Sequence, residues 1–201
     1  MNFNMVHDTQ IVYRKILNCL ARPGTKENIT TESKGIDLAL PLSKNLMALA
    51  FTVLDSEVSF AVAGKEQPAM EKRIQQLTYA KKASIVQADY IFLTQEVSAA
   101  KVCEVIAEAK KGTLLNPHAS ATLFIEVADL GASNNAERMF IKGPGIKGEK
   151  TISAFGANNW LQAREIKNAE FPLGIDMFFL DTAGNILALP RTTRIFDQEE
   201  K

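Results

Sequence analysis

The sequence is short of the features that announce specialised chemistry. Among 201 residues there are two cysteines and two histidines, too few for a disulfide framework. His7, Cys19, Cys103 and His118 are scattered, and no pair has the spacing of metal ligands. No metal is expected. Charge of one sign is missing too: Lys plus Arg is 23 and Asp plus Glu is 23. A balanced chain has no global field to hold nucleic acid or an anionic membrane, so neither partner is expected. No apolar run approaches the roughly 20 residues that cross a bilayer. Residues 1–9 lack the basic and apolar regions of a secretory signal. The expected setting is the reducing cytoplasm, with both thiols held as small buried hydrophobes on helices. Neither a G-x-S-x-G elbow nor a G-x-x-x-x-G-K-[ST] phosphate loop occurs.

What is present is the balance of an ordinary globular protein, 46% hydrophobic and 23% charged. The length fits one domain over residues 1–201. Apolar spacing predicts helices over Asp8–Leu20, Ser43–Leu54, a segment opened by Pro68, Val97–Lys110 and Asn159–Asn168. Asp8 is expected to cap the first helix and Gly112 to end the fourth. Strands are predicted at Val58–Ala63, Tyr90–Thr94, Ala121–Val127, Arg138–Lys142, Thr151–Phe155, Ile175–Leu180 and Ile186–Leu189. The last two form a hairpin around Ala183-Gly184-Asn185. Residues 131–135 read as a polar loop and 197–201 as a charged tail. Helices interleaved with strands favour a mixed α/β layer structure.

Four places carry candidate chemistry. Gly143-Pro144-Gly145-Ile146-Lys147-Gly148 satisfies G-x-G-x-x-G, but no helix follows to meet a pyrophosphate, so a tight turn is the better reading. Pro190-Arg191-Thr192-Thr193-Arg194 follows a strand and carries two guanidiniums and two hydroxyls. They can grip a phosphate or line a partner-facing edge, since Arg presents paired donors to oxygen acceptors. In an extended segment Arg191 and Thr193 would point one way, Thr192 and Arg194 the other. Arg22, before Pro23-Gly24, stands where a helix C-terminus attracts a cation. Asp176 lies among apolar residues, where a carboxylate needs an ion pair or hydrogen bonds. The candidate anion- or partner-binding set is therefore Arg22, Gly143, Gly145, Arg191, Thr192, Thr193 and Arg194, with no catalytic residue assigned.

Taken in order, Val6-His7-Asp8-Thr9-Gln10, Arg14, Ala21-Arg22-Pro23-Gly24, Ala48–Asp55 running into Val58-Ser59-Phe60, Pro117–Leu123, Gly143-Pro144-Gly145-Ile146, Phe171–Asp176 and Leu189–Thr193 resemble the PhnH family, the H subunit of bacterial carbon–phosphorus lyase. The departure is at His118 and Ser120, where an acidic residue and a glycine are expected. The resemblance implies a three-layer α/β/α sandwich with a mixed sheet, like a reduced pyridoxal-phosphate-dependent transferase fold without the cofactor. It implies a homodimer that joins the G, I and J subunits in a core complex. That complex uses MgATP to couple a ribose triphosphate to methylphosphonate. The subunit is then accessory, without independent catalysis. The alternative is an enzyme or sensor that binds a phosphate or phosphonate ester through Arg191 and Arg194. A pyridoxal site would need a lysine such as Lys142 or Lys147 with Asp176 as ring partner; no phosphate cup accompanies them.

Overall fold

The computed structural model describes residues 3–37, 42–130, 138–153 and 160–196. In chain order the elements are α1 (His7–Ala21), β1 (Lys26–Asn28), α2 (Thr30–Ser33), α3 (Lys44–Val53), β2 (Ser59–Ala63), α4 (Gln67–Thr78), β3 (Lys81–Lys82), β4 (Tyr90–Leu93), α5 (Ala99–Glu108), β5 (Thr122–Val127), β6 (Arg138–Lys142), β7 (Lys150–Ser153), α6 (Trp160–Lys167), β8 (Asp176–Asp181), β9 (Asn185–Leu189) and β10 (Arg194–Phe196). The predicted loop over 131–135, the tail over 197–201, positions 154–155 of the predicted fifth strand and position 159 of the last predicted helix lie outside the described residues.

Seven strands form a mixed sheet in the order β1-β9-β8-β5-β4-β2-β3. β3, β2, β4, β5 and β8 run parallel; β9 is antiparallel to both β8 and β1. Alternation along each strand sorts side chains to two faces. Phe60, Val62, Phe92, Phe124, Phe178, Leu180, Ile186 and Ala188 meet α1, α3 and α4 on one side. Ala61, Ile91, Leu93, Leu123, Ile125, Met177, Phe179, Leu187 and Leu189 pack on the other with α5, α6 and the strands β6 and β7. Helices thus cover both faces of a mixed sheet. The second face also carries a separate three-stranded sheet, β10-β6-β7, which the sequence reading did not foresee.

On the first face the register stacks aromatic rings strand over strand. Phe92 lies opposite Phe124 and Phe124 opposite Phe178; their centroids are 5.3 and 4.9 Å apart. Offset ring pairs at this spacing add to plain area burial.

Some local expectations need correction. Asp8 is not the cap of α1: it stands in the first turn, and Asn4 Oδ1 instead accepts from the Val6 and His7 N–H groups at 3.0 Å. The Asp8 carboxylate accepts from Asn4 N–H at 2.7 Å, fixing that cap. α5 ends at Glu108, with Ala109 as its C-cap, not at Gly112. Lys110 lies beyond the helix end and pairs with Asp89. Ser43 and Ser98 cap α3 and α5, accepting from Leu46 N–H at 3.0 Å and Lys101 N–H at 3.3 Å.

The connections obey handedness. β2 reaches β3 through α4 on the first face, while β4 reaches β5 through α5 on the second. Right-handed crossovers that depart in opposite directions need opposite faces. The direction of strand addition thus reverses between β2 and β4.

Candidate functional site

The amino ends of β5 and β8 are tied together by one guanidinium. The β8–β9 register pairs Met177 with Leu189, so Asp176 falls level with Pro190 and beside Arg191. Arg191 N–H donates to Asp176 Oδ1 at 2.8 Å, and its Nε and Nη2 reach Oδ1 and Oδ2 at 3.3 and 2.6 Å. Nη1 donates to Pro117 O at 2.9 Å and Pro172 O at 3.4 Å, and Nη2 also donates to Ser120 Oγ. Every N–H of the fork therefore meets an acceptor of its own chain. The side chains of Arg191 and Asp176 are 15% and 23% exposed, dry enough for the bidentate pair to matter. Asp176 is the ion-paired carboxylate its apolar surroundings demanded. Ser120, where the family pattern leads one to expect glycine, supplies one of the acceptors.

Thr192 does not continue a strand. Residues 191–192 form a turn, with Thr193 N–H on Pro190 O at 2.9 Å, so the alternation expected of an extended segment does not hold there. Beneath the turn lies a residue the sequence reading missed. Arg164, on the inner face of α6 one turn from Trp160, donates through Nη2 to Pro190 O at 2.7 Å and Thr193 O at 3.0 Å. Burial pushes its guanidinium down to about 10, with the Asp176 charge pulling back. Its Nε and the Thr193 Oγ1 have no hydrogen-bond partner. An Arg spaced i, i+4 from a tryptophan is the sequence signal that could have exposed it.

The other candidates gather around the β6–β7 turn. Gly143, Gly145 and Gly148 have φ of 154°, 80° and 73°, and Ile146 N–H closes on Gly143 O at 3.1 Å. The turn joins two antiparallel strands, not a strand and a helix. A Cβ on Gly145 would lie 2.1 Å from Ala21 O, and one on Gly143 2.8 Å from Thr192 O. These glycines let the hairpin press against the end of α1 on one side and the Thr192-Thr193 backbone on the other. Arg22, exposed as the C-cap of α1, and Arg194, opposite Lys142 in the small sheet, flank the same turn. Arg22, Gly143, Gly145, Thr192, Thr193 and Arg194 thus share one corner, while the Arg191 side chain turns away to the 117–120 and 172–176 segments.

Elsewhere the titratable groups are quieter. Burial, helped by the Glu27 charge, pushes the Cys19 thiol up to about 12, so it stays protonated. Cys103 is half-buried and free, and His7 and His118 are both exposed. Among the described residues no three His, Cys, Asp or Glu side chains group as metal ligands, and no helix is long and apolar enough to cross a membrane. At the carboxyl end of β5, burial raises Glu126 above the usual carboxylate range, opposed by hydrogen bonds from Ser43 and the Gln95 backbone. Its folded form favours the proton, so its contribution is full below the ordinary value of 4.5 and is lost as pH rises. Glu126→Gln is therefore expected to raise the melting temperature near pH 7. The gain should fade by pH 4; an equal gain at both values would refute the assignment.

Comparison with known proteins gives two kinds of match. The model of the family described as bacterial phosphonate metabolism protein (PhnH) matches residues 2–196. The alpha-D-ribose 1-methylphosphonate 5-triphosphate synthase subunit PhnH of Rhizobium meliloti (strain 1021) is 28% identical over 195 residues, covering 94% of this chain and 91% of the relative. The putative C-P lyase subunit protein HtxG of Stutzerimonas stutzeri is 33% identical over 90 residues, 44% of each chain.

Proposed function

Because the chain belongs to the family of bacterial phosphonate metabolism proteins called PhnH, we propose that it serves as an accessory subunit of a carbon–phosphorus lyase core complex. In this reading it is a cytoplasmic homodimer that joins G-, I- and J-type subunits. It is required when they couple a ribose triphosphate from MgATP to methylphosphonate, and it has no catalysis of its own. The layered sheet is compatible with descent from a pyridoxal-phosphate transferase fold put to a different use. Arg191 is the observation that carries the accessory role. One of the two guanidiniums that the sequence offers to a phosphate, that of Arg191, spends all its donors on Asp176, Ser120, Pro117 and Pro172. A ligand there would have to displace a charge-assisted pair.

The test is reconstitution. Cells expressing the chain with the other subunits should yield it in the purified complex, and omitting it should abolish ribose coupling. The isolated chain should turn over neither ATP nor methylphosphonate. Unaided turnover, abolished by one side-chain change, would overturn the proposal.

A second reading, anion binding at the Pro190–Arg194 edge, draws on the unpartnered Arg164 Nε and Thr193 Oγ1 beneath it. Two buried polar atoms without partners leave donors for a small ligand or a water. Calorimetry with ATP, ribose phosphates and methylphosphonate decides this reading; absence of heat at millimolar ligand removes it for the isolated chain.

A further inference from the structure

α1 is apolar along two lines, and only one of them is buried in the core. Val12, Ile16 and Cys19 pack beneath the helix against the first face of the sheet. The second line runs along the outside: Val6, Gln10, Tyr13, Leu17 and Leu20. Its alternating steps of four and three residues are the repeat that keeps one stripe turned toward one neighbouring helix. Val6 already has helical angles, φ −97° and ψ −52°. Leu20 packs against the core, but Val6, Tyr13 and Leu17 are 73%, 51% and 44% exposed. Single apolar residues at a surface are ordinary. Three in register along one helix make a second apolar face, and a helix with two such faces is built to be covered on both.

The margins of this outer line differ in charge. On one side Lys15 donates to Asn28 O and Glu32, and Asn18 donates to Glu27, so β1 and α2 lie there. Helical rotation places Arg14 between that margin and the line. On the other side Asp55 and Glu57 follow α3. Burial raises the Tyr90 phenol, with Asp89, Asp55 and Tyr13 adding to the rise; Asp55 and Tyr13 thus approach the same ring. Arg14, Asp55 and Glu57 are all exposed, and none has an ion pair among the described residues.

We infer that the outer line of α1 packs against the same line of a second copy of this chain, the two helices parallel about a two-fold axis. This gives the proposed homodimer its surface and rests on that reading. Two observations select a second copy in this orientation. Rotation about an axis along the helix lays the Arg14 margin of each copy over the Asp55 margin of the other, so opposite charges meet twice. An antiparallel pair would set like margin against like. The polar member of the line points the same way. In a parallel pair Gln10 meets Gln10, and two amides satisfy one another as donor and acceptor. One polar residue in such a seam fixes its register. A plain apolar surface on a different protein would bury that amide unpaired.

Sedimentation of the purified full chain at micromolar concentration tests this, and a dimer is expected. Leu17→Glu sets two carboxylates against each other across the axis. It should weaken the dimer about a hundredfold while circular dichroism shows a folded monomer. Arg14→Asp, at an exposed position that keeps the test open should Leu17→Glu not fold, should weaken it about tenfold. Adding Asp55→Arg to Arg14→Asp should restore the wild-type dimer, because the exchange preserves opposite charges only in the parallel pairing. If wild type is a dimer and Leu17→Glu and Arg14→Asp both fold and associate as tightly, the inference is wrong and the homodimer uses another surface. A dimer weakened by Arg14→Asp and left weak by the double exchange overturns the parallel arrangement. Wild type that stays monomeric at every concentration removes the homodimer reading, and this inference with it.

Discussion

Arg191→Ala is expected to destabilise the protein by about 3 kcal/mol, the lower end for breaking a largely buried pair by removing one partner. For a chain of this size that corresponds to a fall of roughly 6–12 °C in melting temperature. The size follows from what is left behind. Asp176, 23% exposed, loses its bidentate partner, and Ser120 Oγ and the Pro117 and Pro172 carbonyls lose a common donor. Arg191→Lys should recover less than half of the loss, because an ammonium cannot reach both Asp176 oxygens and three further acceptors at once. Asp176→Ala combined with Arg191→Ala should cost less than the sum of the two single changes. Thermal unfolding of the four variants reads this directly. A near-neutral Arg191→Ala that nevertheless abolishes assembly would instead make Arg191 a contact with a partner.

The second large effect is in the core. Phe124→Ala should cost about 3–5 kcal/mol, the range for removing a buried aromatic ring. Phe124 lies in the middle of the ring stack, between Phe92 and Phe178 and 6.4 Å from Tyr90. Its neighbours are on parallel strands of fixed register, so they cannot collapse inward to fill the hole. Phe124→Leu keeps most of the volume and should cost less than about 1.5 kcal/mol. Denaturant titration at constant slope checks both. A Phe124→Ala loss below 1 kcal/mol would mean the face relaxes more freely than its packing implies.

Most longer elements could be read from residue patterns. Met70 and Ile74 on α4 carry a helical spacing that matches their burial, and the continuous apolar runs of β2 and β8 match strands buried on both faces. The missed elements are short. β1, β3 and β10 have three, two and three residues, too few for any period to register, and they exist only because a neighbour offers unpaired N–H and C=O groups. Strand order was not legible either, since the reversal between β2 and β4 depends on which face each crossover helix covers. The Arg191–Asp176 pair was nearer to hand. Once residues 183–185 are read as a two-strand turn, counting outward along both strands brings Asp176 level with Pro190, next to Arg191. Arg164 carries no local mark of burial except Trp160 four residues earlier, on the same face of the helix. The pairing of Lys142 with Arg194 escaped because the two are 52 positions apart in the chain.

The large sheet finishes at either side in fragments, Lys26–Asn28 at one margin and Lys81-Lys82 at the other. Margins so brief, one of them made wholly of lysine, offer little ladder for a stray strand to extend. The protein is thereby shielded from runaway polymerisation through its backbone, and contact with other molecules is left to side chains, which can tell one neighbour from another.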